Sequence, residues 1–580
     1  MEKIIVLIAF FLSVTNCYAL DNVYKWHTFY GANGSDSGHA IAIDSKGNVY
    51  VVGTSNESWL GENNTSPIHA HSGRDDITIV KLNPDGVYQW HTFYGSSESD
   101  HGISISIDTN DNIYVVGYSD FNWLGDGNIN PIHPLGEAGM DVPDITVLKL
   151  DKNGIYQWHT FYGSDEAIDY GRGISVDTDG SVYVTGSSLR TWQGDGNIDP
   201  IHNTITSGGI AIFKLDKNGT YQWHTFYGWG CEGFGITVGA DSNVYIVGSS
   251  WITWKGDNNT PPLHTHGLSS DITVIKLNTD GDYQWHTFYG GDCGYDIALD
   301  KNGNLYVAGS SVATWQGDGD ISPLNAYTGN NDITILKLTT SGTYLWHTFY
   351  GTEHYDVGYA IAIDKNNEIY VAGRSNETWK GDGDTEPFHQ GSTLGNNSTI
   401  LKLTTNGIYQ WHTFYGPNRP SNSTDIAIDE NDNVYSVDST SYSPWEADGN
   451  TTPIHIGSGS YDISILKLHG YDDTLKITTS GSGQGKVISN PIGINCGYDC
   501  FDAYENNKTI MLTAIPGTDS KFIGWSGDCD QDGNVIINAD KSCTAIFQNC
   551  FSWPMFFPAI TGAKEIRQEK SKKAEKNSIE

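Results

Sequence analysis

One phrase, Trp-His-Thr-Phe-Tyr-Gly, is written seven times in this chain, and its recurrence constrains the fold more than any other feature. The copies begin at Trp26, Trp90, Trp158, Trp223, Trp285, Trp346 and Trp411, spaced 64, 68, 65, 62, 61 and 65 residues apart. A near-constant period means that one supersecondary unit is stacked on copies of itself. Two further phrases keep step with it. One is IAIDSKGNVYVVG (Ile41 to Gly53), recurring as far as IAIDENDNVYSVD (Ile426 to Asp438). The other is DITIVKL (Asp76 to Leu82), recurring as far as DISILKL (Asp462 to Leu468).

Each unit therefore holds four strand-like runs: IAID, NVYVVG, DITIVKL and YQWHTFYG. The first two are joined by a D-x-x-G-N hairpin signal, and the last two by NPDG-like turns. Four short strands at a period somewhat above that of common blade repeats predict an all-β, seven-bladed β-propeller. The order of the runs also predicts how it closes. The chain opens with a lone fourth run (Tyr24 to Gly31) and its last unit lacks one, so the first strand is expected to complete the last blade. That pairing would remove an exposed sheet edge.

Only 17% of the residues are charged, and no window reads as a long amphipathic helix. The net charge of −37 argues against a nucleic-acid partner, which needs clustered Lys and Arg. The first residues, MEKIIVLIAFFLSVTNCYA, read as a secretory signal peptide over 1–19, with cleavage after Ala19. Asn16 spoils a lipoprotein signal, so the expected product is secreted or displayed at the cell surface. No later segment has the ~18–20 apolar residues of a membrane-spanning helix. Export permits disulfides, and seven cysteines follow the leader: Cys231, Cys293, Cys496, Cys500, Cys529, Cys543 and Cys550.

The connections between second and third runs are about twenty residues long, whereas the hairpin turns are minimal. A ligand is therefore expected on the face carrying the long loops. These loops share a signature such as TWQGDGNIDPIH (Thr191 to His202), with tryptophans at Trp59, Trp123, Trp254, Trp315, Trp379 and Trp445 as its relatives. Asp382, Asp384 and Glu386 in GDGDTEP place oxygens at alternating positions, as a calcium loop does. A full calcium loop needs more ligands and a terminal bidentate acid, so an Asp/Gly turn plugged by a buried tryptophan is the favoured alternative.

Asp36, Asp100, Asp169, Asp292 and Asp356 occupy one equivalent position before the first run, with Cys231 and Ser421 in the other two units. A partial acidic ring could bind a cation, but a residue shared by most units more often satisfies local backbone N–H groups. The residues that break the repeat include His39, His101, His354, Arg172, Arg190, Arg374, Trp229 and Trp251. The three histidines could meet as metal ligands, although their offsets differ. Exposed Trp229 and Trp251 suit stacking on sugar rings, with Arg190 and Arg374 as further binding candidates, and blade packing is the alternative. Cys231 and Cys293 follow their repeat tyrosines by four residues in neighbouring units and would bridge if their loops lean together. No catalytic triad, phosphate loop or zincin motif is visible. The histidine of the sevenfold phrase itself reads as packing, because a catalytic group has no reason to recur sevenfold.

The units resemble the SBBP repeat, a β-propeller repeat of bacterial proteins, over residues 20–470. That resemblance implies a propeller and export but no single activity. From Leu475 the composition changes to GSGQGKV, GINCGYDC, LTAIP and FIGWSGDC. This stretch, 473–550, resembles the divergent internalin B-repeat-like domain of bacterial surface proteins. The resemblance implies a small all-β module with Cys496–Cys500 and Cys529–Cys543 bridges. The last residues, 551–580, are expected to be disordered. The leading expectation is a monomeric, non-enzymatic binding or scaffold protein for a carbohydrate or protein ligand. The alternative is a propeller enzyme, a polysaccharide lyase or hydrolase acting at the channel mouth.

Overall fold

The computed structural model describes residues 24–550 except 137–141, 165, 204–207, 268–269, 392–395, 417–420, 442–444, 446–450, 458–459, 470–472, 492–493, 498–499, 505–507 and 539–540. The leader at 1–19 and the tail at 551–580 lie outside the described residues. The chain divides into two compact units, 1–472 and 473–580.

The first unit begins with β1 (Tyr24–Tyr30), followed by β2 (Asp36–Ile43), β3 (Val49–Ser55), β4 (Asp76–Leu82) and β5 (Tyr88–Tyr94). Strands β2 to β5 form one antiparallel sheet in sequence order, and the pattern then repeats. The first strands of the later sheets are Asp100–Ile107, Asp169–Val176, Cys231–Val238, Gly294–Leu299, Asp356–Ile363 and Ser421–Ile428. Each of these strands contacts the corresponding strand of the next sheet, and Ser421–Ile428 returns to contact β2. The result is a propeller-like ring of four-stranded antiparallel sheets with the first strand of each sheet innermost.

The ring closes as the run order requires. β1 pairs antiparallel with Tyr461–His469, from Tyr24 opposite Leu468 to Tyr30 opposite Ile463. Trp26 and Tyr30 share a buried cluster with Tyr435, Val437, Ile463 and Ile465 from the far end of the repeat array.

The local chemistry of the repeated phrases is visible in every sheet. In the β2–β3 turn, Asp44 Oδ1 accepts the backbone N–H groups of Lys46 and Asn48, both at 2.9 Å. Gly47 supplies the positive φ of 79° that the turn requires. On the outermost strand, Tyr221 donates its hydroxyl to His224 Nδ1 at 2.7 Å, which leaves Nε2–H to donate to the Trp192 carbonyl at 2.9 Å. The Trp192 and His224 rings are stacked, 4.2 Å apart. Trp223 on the opposite face donates Nε1–H to the Thr279 carbonyl of the next sheet at 3.0 Å. The same Tyr–His–Trp tie is made by His27, His91, His159, His286, His347 and His412 to Trp445, Trp59, Trp123, Trp254, Trp315 and Trp379. The repeated histidine thus anchors the tryptophan of the long loop over its own sheet, and its imidazole is wholly buried. A buried imidazole with both nitrogens satisfied is a packing element.

The second unit contains two four-stranded sheets. One joins Phe501–Tyr504, Asp473–Ser480, Lys541–Asn549 and Ser520–Gly527. The other joins Asn495–Cys496, Gly485–Asn490, Lys508–Pro516 and Asn534–Ile537. Asp473–Ser480 runs parallel to Lys541–Asn549. Leu475, Ile477, Val487, Ile510, Val535 and Phe547 fill its core. Both expected bridges, Cys496–Cys500 and Cys529–Cys543, are formed. Reduction is expected to lower the melting transition of this unit, by about 2–4 kcal/mol for each bridge lost. It should leave the propeller transition in place, because Cys231 and Cys293 are free thiols. Scanning calorimetry with and without reductant reads both transitions.

Candidate functional site

Two places on the first unit depart from the repeat. The first is the channel at its centre. Each inner strand carries a β-bulge at the same point. In β2 the register shifts between Gly38 and Ala40, so that His39 has no partner on β3. The equivalent bulged residues are Ile103, Arg172, Phe234, Tyr295, Tyr359 and Thr424. A bulge re-aims one side chain while the strand continues. Here it turns that residue inward, and all seven line one cavity of about 560 Å³.

The contrast with the neighbouring positions is sharp. The residue before the bulge is glycine in six strands, from Gly38 to Gly358, and the residue two places after it is isoleucine in all seven, from Ile41 to Ile426. The glycine is required by close packing: a Cβ at Gly38 would lie 2.5 Å from Val437 Cγ2 of the preceding sheet. Between these two uniform positions the scaffold varies freely.

Asp296 and Asp425 sit one place beyond the bulge, where other strands have Ala, Ser or Gly. Asp296 accepts the N–H groups of Ile297 and, on the next inner strand, Ile361, at 2.8 and 2.9 Å. Asp425 accepts those of Ile426 and, across the closure, Ile41, both at 2.8 Å. Burial pushes the Asp296 carboxyl up to about 6 and that of Asp425 up to about 8. These carboxyls stitch adjacent sheets together. His39 donates Nδ1–H to the Gly102 carbonyl at 2.7 Å. Burial, reinforced by the nearby His101 and Arg172, holds its imidazole below the ordinary range.

The second place is on the long-loop face. Trp251 directly follows the second strand of its sheet, and Trp229 precedes the first strand of the same sheet; they are 61% and 49% exposed. The residues equivalent to Trp251 in the two flanking sheets are Leu189 and Val312, each 48% exposed. Asn56, Asp120, Asn376 and Ser441 take this position in the other four sheets. Gly208 links the loops, donating its N–H to Leu189 O at 3.2 Å and accepting that of Gly230 at 2.9 Å. Leu189, Trp251 and Val312 are thus exposed apolar residues at equivalent positions of three consecutive sheets, here termed the apolar arc.

The remaining sequence-based candidates fall elsewhere. Arg190, next to Leu189, is exposed and ion-paired with Glu166 at the edge of the arc. Arg374 is not on the arc: its guanidinium lies 4.9 Å from the Tyr355 ring and beside Tyr359. Asp382, Asp384 and Glu386 do not converge as a calcium loop would. Asp382 accepts from the Tyr350 hydroxyl at 3.5 Å and Glu386 is paired with Lys380 at 2.5 Å, so two of the three are drawn to separate partners at and just after a short 3₁₀ turn. Among the described residues there is no group of three His, Cys, Asp or Glu placed to hold a metal. Among the described residues, His39, His101 and His354 likewise form no such group. His101 lies against Thr54 and Tyr118, and His354 is paired with Glu377.

Cys231 and Cys293 do not bridge. Cys231 Sγ is 3.0 Å from Ser250 Oγ, whereas Cys293 donates toward Asp292 Oδ1 at 3.5 Å, because one begins its strand and the other is a residue further on. The acidic positions serve their own turns. Asp36, Asp100, Asp169 and Asp356 accept the N–H groups of Ala32, Ser96, Ser164 and Thr352 at 2.6–2.8 Å. Asp292 accepts from the Ser310 hydroxyl at 2.7 Å.

Phe234, Tyr295 and Tyr359 were invisible as site residues in the sequence, since an aromatic in a strand reads as core. The available signal was the variable place between a repeated Gly and a repeated Ile.

Comparison with known proteins bears on the repeats. Residues 25–58, 89–123, 157–189, 287–313 and 345–378 match the SBBP family, a β-propeller repeat. An uncharacterized WD repeat-containing protein of Acanthamoeba polyphaga mimivirus is 22% identical, with 78% of this chain and 39% of that protein covered. The regulatory protein FlaEY of Caulobacter vibrioides is 27% identical, with 82% and 44% covered. The chain thus spans about two fifths of the length of the curated relatives it matches. The WD40 β-propeller domain of Doa1 is similar at 9% identity and a TM-score of 0.38, with 76% of this chain and 96% of that one covered. Five stretches of the first unit thus match the SBBP β-propeller repeat.

Proposed function

We propose that this is an exported, bacterial binding protein, in which a seven-bladed propeller, closed by its first strand, carries an internalin B-repeat-like module. It recognises a carbohydrate at the cell surface or outside the cell, and it does so without turning it over. The observation that carries this reading is the apolar arc centred on Trp229 and Trp251. Two largely exposed indoles at the loop ends of two paired strands are costly to leave in water, and flat rings of this kind stack on sugar faces. The polar Asn56, Asp120 and Asn376 at the equivalent position of other sheets set the arc apart from packing common to the whole ring. Leader removal and export follow from the apolar run at Ile4 to Val14.

The test is a glycan array probed with the wild-type protein and with Trp229→Ala/Trp251→Ala. The double variant is expected to lose about tenfold or more in affinity for whichever glycan binds, with a melting temperature within a degree or two of wild type, because the side chains contribute little to the core. A protein ligand captured through the same tryptophans, with no glycan bound, would replace carbohydrate with protein. Binding that survives the double substitution would remove the arc as the site.

A further inference from the structure

We propose that the central channel is a second, independent binding site, which takes a small ring-bearing carboxylate of about hexuronate size through Arg172, with the aromatic arc Phe234–Tyr295–Tyr359 receiving its ring. The inference does not rest on the surface arc, which lies on the loops outside the channel.

Four observations converge. The first is Arg172 itself. It lines the cavity on a bulge, its Nε is buried with no hydrogen-bond partner, and its guanidinium lies 5.1 Å from the Tyr170 ring, near His39 and Tyr118. Among the described residues no carboxylate is within ion-pair distance of it, although acids outnumber bases 69 to 32 in the chain. A half-buried guanidinium left without an anion is costly, and its planar fork matches a carboxylate. Secondly, the two carboxyls that share the cavity are unable to serve as its counter-ions. Both oxygens of Asp296 and of Asp425 are already held by backbone N–H groups.

Thirdly, the three inner strands that follow Arg172 carry Phe234, Tyr295 and Tyr359 at the same bulged position. Their rings touch in series, 5.4 Å and then 5.2 Å between centroids, forming a continuous curved aromatic wall. Such a wall offers faces and edges to a flat or chair-shaped ring. On the far side stand Thr424, His39 and Ile103, so the channel has a cationic point, an aromatic side and a polar side. Finally, the cavity of about 560 Å³ falls within the ~300–1,000 Å³ of small-ligand pockets. A repeat scaffold that keeps Gly in six of its seven inner strands and Ile in all seven, and diversifies the bulged residue after the Gly position, is differentiated where a ligand would sit.

The experiment is isothermal titration of the full chain with D-glucuronate, with benzoate as a planar carboxylate, and with glucose as the neutral sugar. Saturable binding is expected for glucuronate, with glucose at least tenfold weaker. Arg172→Ala should lose about tenfold or more of the glucuronate affinity, while Arg172→Lys recovers part of it. Arg190→Ala, which removes a surface arginine, should bind as wild type. Benzoate binding in place of glucuronate, lost equally in Arg172→Ala, would support the site with a planar ring as occupant. If neither carboxylate saturates at millimolar concentration, or if Arg172→Ala binds as wild type with an unchanged melting temperature, the proposal is wrong. Trp229→Ala/Trp251→Ala should leave glucuronate binding intact, which separates this site from the surface arc.

Discussion

A chain lacking residues 24–31 is expected not to form a cooperatively folded propeller. In the intact protein β1 covers Tyr461–His469 along its length. Without it, that strand becomes a bare sheet edge next to the neighbouring sheet. The loss also removes Phe29 and Tyr30, each 1% exposed, and Trp26 at 8%. His27 goes with them, and with it the tie to the Trp445 carbonyl at 2.9 Å, so the long loop of the last sheet is released as well. Phe29→Ala alone should cost about 3–5 kcal/mol, the usual range for a fully buried phenylalanine. The deletion removes that, the strand pairing and the ring continuity together. Calorimetry and binding of a hydrophobic dye report the result. A truncated chain that melts in one transition at the wild-type temperature would show that β1 does not close the ring.

Raising the pH from about 7 to about 8.5 is the second effect, and it should destabilise the propeller. Burial pushes the carboxyls of Asp100, Asp169 and Asp438 up to about 7 and that of Asp425 up to about 8. Each folded-state value is above the unfolded one, near 3.8, so folding takes up protons. The stabilisation is complete below the unfolded value and is lost as the pH rises through 7 and 8. At about 1.4 kcal/mol per unit of pKa difference, these four groups withdraw about 2 kcal/mol over this interval, of which the imidazoles below return about 1 kcal/mol, leaving a shift on the order of 1–2 °C in melting temperature.

Seven imidazoles run the other way. Burial holds His27, His91, His159, His224, His286, His347 and His412 at about 4, below the ordinary 6.5. Their contribution is present above 6.5 and is lost as the pH falls toward 4, where it offsets the gain from the carboxyls. In the unfolded chain these imidazoles are still half protonated at about pH 6.5, so they return part of the loss up to about pH 7.5, and the slope is cleanest above that value. Asp438→Asn, which keeps an acceptor oxygen for the Ser398 hydroxyl at 2.7 Å, should flatten it. A melting temperature that holds steady or climbs from pH 7.5 to 8.5 would contradict this account.

Much of the architecture was legible because repetition supplies its own alignment. Three phrases in fixed order specified four strands per sheet, and the unmatched first run pointed to β1 as the missing last strand. The bridges Cys496–Cys500 and Cys529–Cys543 followed from a resemblance, since spacing alone does not select a pairing. Sites were harder. Alternating oxygens suggested calcium at Asp382, Asp384 and Glu386, but sequence order does not say whether side chains turn toward one point, and here Tyr350 and Lys380 take two of them. His39 and Arg172 stood out as breaks in the repeat, yet a string of residues does not reveal that both sit on bulges of inner strands rather than on loops.

The sequence by itself determined the repeat unit, the turn chemistry and the role of the sevenfold histidine. These depend on contacts within one unit or with its direct neighbour, and seven copies report the same local requirement. Only the tertiary structure decided what the non-repeated residues do. Leu189, Trp251 and Val312 are some sixty residues apart in the chain, and so are Arg172, Phe234, Tyr295 and Tyr359. Each set becomes a single surface because ring closure places equivalent positions of successive sheets side by side, and a bulge turns one residue of each inner strand toward the common axis.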